Sequence, residues 1–441
     1  MKIKNIGIIG LGYVGLTTGI GFSSLEFNVI GIDIKKENVE KVNSGKISFY
    51  EPGLTELLEK SLKKEKFRAS VNYKDLANCK IIFICVGTPP KEDGSTDLTQ
   101  IENVAIEIGK LLKNMNNNPI IIVKSTVPPG TTQTVVLPLL EKYSNKKVGI
   151  DFSIGMSPEF LKEGNALNDF LHPDRTIFGA YDEKTSKILY DFFEIFEGPV
   201  FAVKNISTAE MIKYTNNAFL STKISFINEI ANICRLIEDV DVTDIAKGIG
   251  MDERISEKFL RAGAGFGGSC YPKDLKAIIA FAKKREYSPL LLSSVLEVNE
   301  NQAQITVDIL KHAIPDLSNK KIAILGLAFK PGTSDMREAS SLRIIKILKQ
   351  EKNIKITVYD PKAIEEAQKI LKSSIIYSKS IEGCIEGADA CIIVTEWDEF
   401  KSLEPEFFLK HMKNPLIIDG RKIYDHEKFS KVLSYYEIGR L

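Results

Sequence analysis

The sequence predicts an α/β protein: two doubly wound, parallel-sheet halves joined by an all-helical central region with a long connecting helix. Three observations predict it. Near-continuous apolar runs alternate with helical stretches up to about residue 200 and again after Lys320. The intervening region is patterned as helix, broken by glycines. A glycine-rich turn separates the first apolar run from the first helical one. Strands without polar alternation are those buried on both faces, and the helices between them supply the covers.

In chain order, residues 4–10 read as a buried strand, followed by a glycine turn and a helix from about Val14 to Ser24. Residues 29–33, 81–86 and 120–124 are later strands of a first half that ends near residue 200, with a short polar turn at 114–118. Helical patterning runs from about Ser207 to Ala280. A further helix covers about Ser288 to Ala313, with neither Gly nor Pro between Pro289 and Pro315. Its length suits a connector between domains, and the helical middle is a candidate dimer interface. Residues 321–326 open the second half and resemble the strand-to-loop transition at 6–10. Residues 356–360, 390–394 and 416–419 are its later strands. The boundaries are drawn at 1–203, 204–313 and 314–441.

Size and composition agree. At roughly 150 residues per domain, 441 residues make two or three domains. A formal net charge of +1 leaves no electrostatic footprint for nucleic acid or an anionic membrane, so neither is expected as a partner. No apolar run approaches the roughly 20 residues of a membrane span. The chain enters a strand pattern with no signal-peptide segment before it, so a cytoplasmic setting is expected. The six cysteines form no C-x-x-C pair and no Cys/His cluster at zinc spacing, which fits a reduced compartment and no metal. None of the four histidines sits in a constellation with Ser or Cys, and His172 reads as ordinary loop. Acid/base chemistry therefore falls to Lys, Asp or Glu.

Gly10-Leu11-Gly12-Tyr13-Val14-Gly15 is a G-x-G-x-x-G. Alone it is a weak signal. Here a strand precedes it, a helix follows, and Asp33 ends the next strand at the expected distance, the context of a Rossmann-like NAD site. Gly10 permits the tight turn, Gly12 lets a pyrophosphate approach the helix N-terminus, and Gly15 allows close packing. Asp33 would accept hydrogen bonds from a ribose 2′-OH and repel a 2′-phosphate, favouring NAD over NADP; Lys35 and Lys36 soften that preference. Two further loops leave strand ends, one at 86–90 with Thr88 and one at 125–131 with Thr126. On spacing alone these are equally generic loops.

Gly263-Ala264-Gly265-Phe266-Gly267-Gly268-Ser269-Cys270-Tyr271-Pro272-Lys273-Asp274 is the most informative stretch. Four glycines let backbone wrap closely around a ligand. Pro272 suits the first turn of a helix, which puts Cys270 just before a helix N-terminus with Lys273 nearby. Both features favour the thiolate. Asp274, on the first turn, could position water or accept a proton.

These motifs resemble the UDP-glucose/GDP-mannose dehydrogenase family, over essentially the whole chain. The resemblance also rests on Gly87-Thr88-Pro89, Ser125-Thr126-Val127-Pro128-Pro129-Gly130-Thr131 and Ser157-Pro158-Glu159-Phe160-Leu161-Lys162-Glu163-Gly164. It continues through Glu210-Met211-Ile212-Lys213-Tyr214-Thr215-Asn216-Asn217, Gly326-Leu327-Ala328-Phe329-Lys330-Pro331 with Thr333, Asp335 and Arg337, and Asp419-Gly420-Arg421. It implies an N-terminal NAD domain, a dimerising helical middle and a C-terminal UDP-binding domain. It also implies oxidation of a sugar C6 alcohol to a carboxylate with two NAD⁺, through a Cys270 thiohemiacetal and thioester.

The same resemblance implies the residue roles. Lys213 and Asn217, one helical turn apart, would stabilise the oxyanion; Glu159, Thr126 and Asp274 would handle protons and water. Phe160, Leu161 and Lys162 would hold the sugar. Phe259, Leu260, Arg261, Gly263, Gly265 and Gly267 would line the sugar nucleotide, and Phe329, Lys330 and Arg421 would meet its nucleotide end. Arg254 would reach the partner subunit's substrate. Beyond the glycine turn with Tyr13 and Val14, the residues Asp33, Thr88, Thr126, Glu163, Lys273 and Arg337 would approach NAD. Read on their own, Arg254 and Arg421 are equally surface ion pairs. The family often has Lys or Arg where this chain has Asn38, which leaves any charged contact to the adenosine ribose to Lys35 or Lys36.

The flanking segments, 157–164, 173–175 and 259–262, resemble the UDP-glucose branch, which makes UDP-glucose the expected substrate. GDP-mannose and UDP-N-acetylhexosamine dehydrogenases are the alternatives; the amino-sugar enzymes typically carry Gly-Gly-His-Cys where this chain has Gly268-Ser269-Cys270. A β-hydroxyacid dehydrogenase would need no thiol and no second α/β half. A nucleotide-sensing protein would need none of Cys270, Lys213, Asn217 and Asp274.

Overall fold

The computed structural model describes residues 3–440 and divides into two compact units, Met1–Asn216 and Asn217–Leu441. Unit 1 is built on eight strands: β1 (Asn5–Ile9), β2 (Asn28–Ile32), β3 (Phe67–Ser70), β4 (Ile81–Ile84), β5 (Ile120–Val123), β6 (Ser153–Met156), β7 (Thr176–Ala180) and β8 (Val200–Val203). Their order in the sheet is β3-β2-β1-β4-β5-β6-β7-β8. Side chains alternate between two buried faces. Ile6, Ile8, Phe83 and Ile122 pack on one side, and Ile9, Ile82, Ile84 and Ile121 on the other. That explains the unbroken apolar runs. Strands are added outward on one side of β1 as far as β3 and then on its other side from β4, so β1 and β4 lie side by side and in parallel and open a crevice at their carboxyl ends.

One pairing departs from the all-parallel expectation: β6 and β7 are antiparallel. The helix between them, Ala166–Leu171, has 6 residues and spans only about 9 Å. It does not carry the chain back along the sheet, so β7 starts at the end where β6 stops.

Unit 2 carries the strands β9 (Lys321–Leu325), β10 (Lys355–Tyr359), β11 (Ile376–Tyr377), β12 (Ala390–Ile393), β13 (Leu416–Asp419) and β14 (Ser434–Glu437). Their order is β11-β10-β9-β12-β13-β14, all parallel, with the same switch of side at β9 and β12. The helices before this sheet are Ile206–Cys234, which crosses the boundary between the units, then Val242–Gly250, Tyr271–Lys283 and Leu290–Ala313. Sequence patterning separates this helical middle from the C-terminal half; packing does not. Ile227, Val242, Leu260, Val307 and Leu310 share one apolar core with Ile322, Ile324, Ile344 and Ile418. The glycine-rich stretch 251–270 forms no helix or strand. Among the described residues no helix is long and apolar enough to cross a membrane.

Candidate active site

In unit 1 the glycine turn follows β1. Gly10 has φ +93°, and a Cβ there would lie 2.9 Å from the Cys85 carbonyl oxygen. A Cβ on Gly15 would come within 1.8 Å of the Gly10 carbonyl oxygen, so this glycine is what lets the helix Tyr13–Ser24 start against the turn. At Gly12 a Cβ would meet nothing within 4 Å. Gly12 is thus bare for a reason other than packing, as a backbone that must admit a pyrophosphate would be. It caps a helix with no side-chain cap and no acid in its first turn, leaving the N-terminal amides for an anion.

Asp33 accepts from the Leu11 amide at 3.1 Å and from the Lys35 amide at 2.8 Å, one on each oxygen. The Asn38 amide also reaches it, at 3.4 Å. One lone pair, on Oδ1, remains for a ribose hydroxyl. The second sheet repeats the turn with a different outcome. The Gly326 amide donates to the Tyr359 carbonyl as the Gly10 amide does to Ile32, and Asp360 stands where Asp33 does. There Leu327, Ala328, the Trp397 indole, Lys362 and Ala363 all donate to the one carboxylate, which is 2% exposed. With its lone pairs used and Ala328 in place of the second glycine, this turn is closed to a dinucleotide.

Tyr13 donates to Glu51, which also accepts from the Gly164 and Ala166 amides at 2.8 and 2.7 Å. This ties the glycine turn to the loop that carries Glu163. Burial, then the Glu51 contact, pushes the Tyr13 hydroxyl pKa far up. Thr88 donates to the Thr126 carbonyl at 2.9 Å, joining the two loops that leave β4 and β5.

Glu159 lies just beyond β6. Its carboxylate takes the Lys213 ammonium at 2.9 Å and the Leu161 amide at 2.7 Å, and both charged side chains are buried. Burial pushes the Glu159 carboxyl up, but Lys213, the Leu161 amide and Lys124 outweigh it and hold it below the usual range. Lys213 also lies 5.5 Å from the centre of the Phe160 ring, with the Arg175 guanidinium at 4.2 Å. Lys162 pairs with Asp169 at 3.0 Å.

In unit 2, Cys270 is the N-cap of the helix Tyr271–Lys283, with Pro272 in the first turn. It is partly exposed, whereas the other five cysteines are buried. Asp274, 1% exposed, accepts from Asn217 at 2.7 Å and from Lys273 at 2.5 Å. Lys273 is thereby directed to this carboxylate. Phe259 holds φ +67°, a strained conformation for a bulky residue.

A cavity of about 240 Å³ is lined by Phe259, Arg261, Gly265, Gly267, Phe329, Lys330 and Arg421, all expected at the sugar nucleotide. Ile224, Ala262, Phe266, Tyr271 and Glu396, which were not expected, complete its lining. Phe329 and Lys330 follow β9, Glu396 follows β12 and Arg421 follows β13, so the cavity opens at the switch point of the second sheet. Arg421 is anchored by the Val394 carbonyl at 2.6 Å and by Glu396 at 3.5 Å. Leu260 is buried rather than part of the lining, because its side chain joins the apolar core. Gly263 lies beside Arg421, 3.2 Å from where its Cβ would be. Arg254 is exposed and forked onto Asp252, and Arg337 is likewise forked onto Asp335.

Three family models cover this chain in order. The NAD binding domain of the UDP-glucose/GDP-mannose dehydrogenase family matches residues 4–197, its central domain 207–301 and its UDP binding domain 323–426. The chain belongs to the UDP-glucose/GDP-mannose dehydrogenase family. The cofactor of this family member is NAD. It is similar to UDP-glucose 6-dehydrogenase YwqF of Bacillus subtilis, 41% identical over 99% of this chain and 98% of that one. UDP-glucose 6-dehydrogenase AglM of Haloferax volcanii is 40% identical over 95% and 96%. A solved UDP-glucose dehydrogenase from the archaeon Pyrobaculum islandicum superposes with a TM-score of 0.93 at 33% identity, covering 100% of this chain and 98% of that one.

Two site features of this family member were missed by sequence reasoning. Glu210, fully buried, accepts from the Gly130 amide, the Thr132 amide and the Thr132 hydroxyl, and so holds the loop after β5. Asn228, Asn299 and Gln302, also buried, hold the glycine loop before Cys270. The signal was available: polar residues at helical spacing on otherwise apolar helix faces.

Proposed function

We propose that this chain oxidises the C6 alcohol of UDP-glucose to the carboxylate of UDP-glucuronate, with Cys270 as covalent nucleophile. The observation that carries the reading is Cys270 itself: the one thiol of six that is not buried, at a helix N-terminus beside the Asn217–Asp274 pair. The full-length similarity to enzymes named for UDP-glucose supports the sugar nucleotide.

NAD would be held by Gly10, Gly12, Tyr13, Val14, Gly15, Asp33, Thr88, Thr126 and Glu163, with Lys273 and Arg337 from unit 2, and supplies hydride acceptance. In the first oxidation C6 loses a hydride and its hydroxyl loses a proton, giving an aldehyde. The Cys270 thiolate adds to that carbon, forming a C–S bond and a thiohemiacetal. Loss of a second hydride and a proton gives a thioester. Water then adds, the C–S bond breaks, and the carboxylate leaves the regenerated thiolate. Lys213 and Asn217 stabilise the oxygen as charge builds on it. Glu159, Thr126 and Asp274 hold the water and carry protons. Phe160, Leu161 and Lys162 hold the sugar; Phe259, Leu260, Arg261, Gly263, Gly265 and Gly267 line the sugar nucleotide, and Phe329, Lys330 and Arg421 meet its nucleotide end.

The segments 1–203, 204–313 and 314–441 are the functional divisions of this reading. A homodimer through the central helices is part of it. Phe219, Phe226 and Ile233 recur every two turns of the helix Ile206–Cys234 and are 64%, 48% and 48% exposed, an apolar stripe that association would cover. In such a dimer Arg254 would reach the partner subunit's substrate. Six free thiols suit a reducing cytoplasm.

The test is an NADH count with UDP-glucose, UDP-N-acetylglucosamine, UDP-N-acetylmannosamine and GDP-mannose, for wild type and Cys270→Ala. The expected result is two NADH per UDP-glucose with no free aldehyde, and no acid from Cys270→Ala. Preference for another sugar nucleotide would overturn the substrate; acid production by the alanine variant would overturn the thioester.

A further inference from the structure

The backbone before Cys270 is buried and irregular, with glycines at 263, 265, 267 and 268, of which Gly265 and Gly268 have φ of +97° and +85°. No helix or strand satisfies its amides and carbonyls, although all of 263–268 is buried. Two backbone carbonyls and four side chains do so instead: the Ala264 and Gly268 amides donate to the Gly420 and Arg337 carbonyls at 2.9 and 2.8 Å, the Gly265 carbonyl accepts from the Ser340 hydroxyl at 3.1 Å, and three amide side chains take the rest. The Gly263 amide donates to the Asn228 carbonyl oxygen at 2.8 Å, and the Gly263 carbonyl accepts from Gln302 at 2.9 Å. Phe266 meets Asn299 twice: its amide donates to the Asn299 carbonyl oxygen at 2.7 Å, and its carbonyl accepts from the Asn299 amide at 3.0 Å. Gln302 is itself held by Asn232 at 2.9 Å. Asn228, Asn299 and Gln302 are 0%, 1% and 0% exposed. They stand on the two long helices, Ile206–Cys234 and Leu290–Ala313.

We propose that Asn228, Asn299 and Gln302 are positioning residues that select one conformation of the glycine loop, and so shape the nucleotide-sugar cavity and place Cys270. The physical reason is that a glycine-rich segment has many backbone conformations of similar energy. Buried backbone groups must be paired, and only one of those conformations presents Gly263 and Phe266 to the three amides. Asn299 acts as a strand would, offering one donor and one acceptor to a single residue. Gly265 fits this scheme: a Cβ there would lie 2.9 Å from the Asn299 carbonyl oxygen. Phe266 and its neighbours Gly265 and Gly267 line the cavity, so the clamp acts on the ligand through the loop and touches no reacting atom.

This inference rests on the reading of that cavity as the sugar-nucleotide site, and the experiment separates the two. Asn299→Leu and Asn299→Asp are made in the full-length protein. Iodoacetamide reads the loop without any substrate, because only Cys270 is exposed enough to react. Calorimetry with UDP reads the cavity, and NAD titration reads unit 1 as a control for folding. At about pH 8, both variants should alkylate at least about fivefold faster than wild type and bind UDP at least about tenfold more weakly, the scale of one buried unpaired group. NAD affinity should stay within about twofold. The Asp variant distinguishes a hydrogen-bonding clamp from packing. Ionised, it offers two acceptors and faces the Phe266 carbonyl. Protonated, it again offers one donor and one acceptor. Its deficit in UDP affinity relative to wild type should therefore shrink as pH falls to about 5, while that of the Leu variant does not. Wild-type alkylation rates, parallel loss of NAD binding, or a pH-independent Asp deficit would overturn the clamp. Failure of wild type to bind UDP would overturn the cavity assignment alone, with the alkylation rates still deciding the clamp.

Discussion

At the scale of single residues, the site is governed by which charges are buried together. Lys213 and Glu159 are each almost fully enclosed, so either one alone is costly. Lys213→Met should destabilise the protein by about 3 kcal/mol at neutral pH. The sign of its pH dependence follows from Glu159, whose folded-state carboxyl lies below the ordinary 4.5. The pair's stabilisation is present above that ordinary value and lost as pH falls through the lowered one. The deficit of the variant should thus shrink on acidification, as chemical denaturation at several pH values would show; a deficit that grows would contradict the pairing. Asp33 makes a different kind of prediction. Its charge opposes a 2′-phosphate, so Asp33→Ser should narrow the NAD/NADP ratio of kcat/KM by about 1–2 kcal/mol. The same change removes a carboxylate that also holds the Leu11 and Lys35 amides, so some stability should be lost with it. An unchanged cofactor ratio would assign discrimination elsewhere.

At the scale of elements, the turn between β1 and the helix Tyr13–Ser24 separates two reasons for a glycine. A methyl group at Gly15 would overlap the Gly10 carbonyl, while one at Gly12 would enter open space. Gly15→Ala should therefore unfold the turn, with a loss of several kcal/mol or no soluble protein. Gly12→Ala should fold with a loss of about 1 kcal/mol or less, yet weaken NAD binding at least about tenfold by occupying the pyrophosphate's approach. Thermal denaturation and NAD titration on the two variants check this; equal folding defects would remove the distinction. The related turn after β9 shows the element without the function, since Asp360 is spent on five internal donors.

At the scale of the whole molecule, the proposed dimer makes the exposed stripe of the helix Ile206–Cys234 its centre. Phe219→Glu with Phe226→Glu should place two charges in that interface and shift the protein to monomer in sedimentation at micromolar concentration. A wild type that is itself monomeric, or a variant that remains dimeric, would remove this interface. The variant monomer should keep NAD affinity, because the glycine turn belongs to the first sheet and both substitutions lie in unit 2.

Much of this was legible in the sequence because it is local. The strands β1, β4, β5, β9, β12 and β13 announce themselves as apolar runs, since both faces of each are buried. Gly10, Gly12, Gly15 and Asp33 carry their spacing in the chain. Cys270 before Pro272 declares a helix start. The edge strands β3 and β14, with Arg68 and Ser434 among their residues, carry no such run and were not read; β8, Val200–Val203, is apolar but only four residues long, with Phe201 exposed, and was not read either. Other features exist only once distant segments meet. Lys273 and Asp274 are adjacent in sequence, but only folding brings Asn217 to the second carboxylate oxygen. Asp33 and Asp360 end equivalent strands; tertiary contacts leave a lone pair on one and saturate the other. Asn228, Asn299 and Gln302 look like polar residues on helices until the glycine loop is laid against them. Sequence alone determined the two sheets, the cofactor turn and the cysteine at a helix start, because those follow from short-range periodicity and turn chemistry. Only the tertiary structure decided which buried polar groups satisfy which, because that pairing depends on what the fold withholds from water.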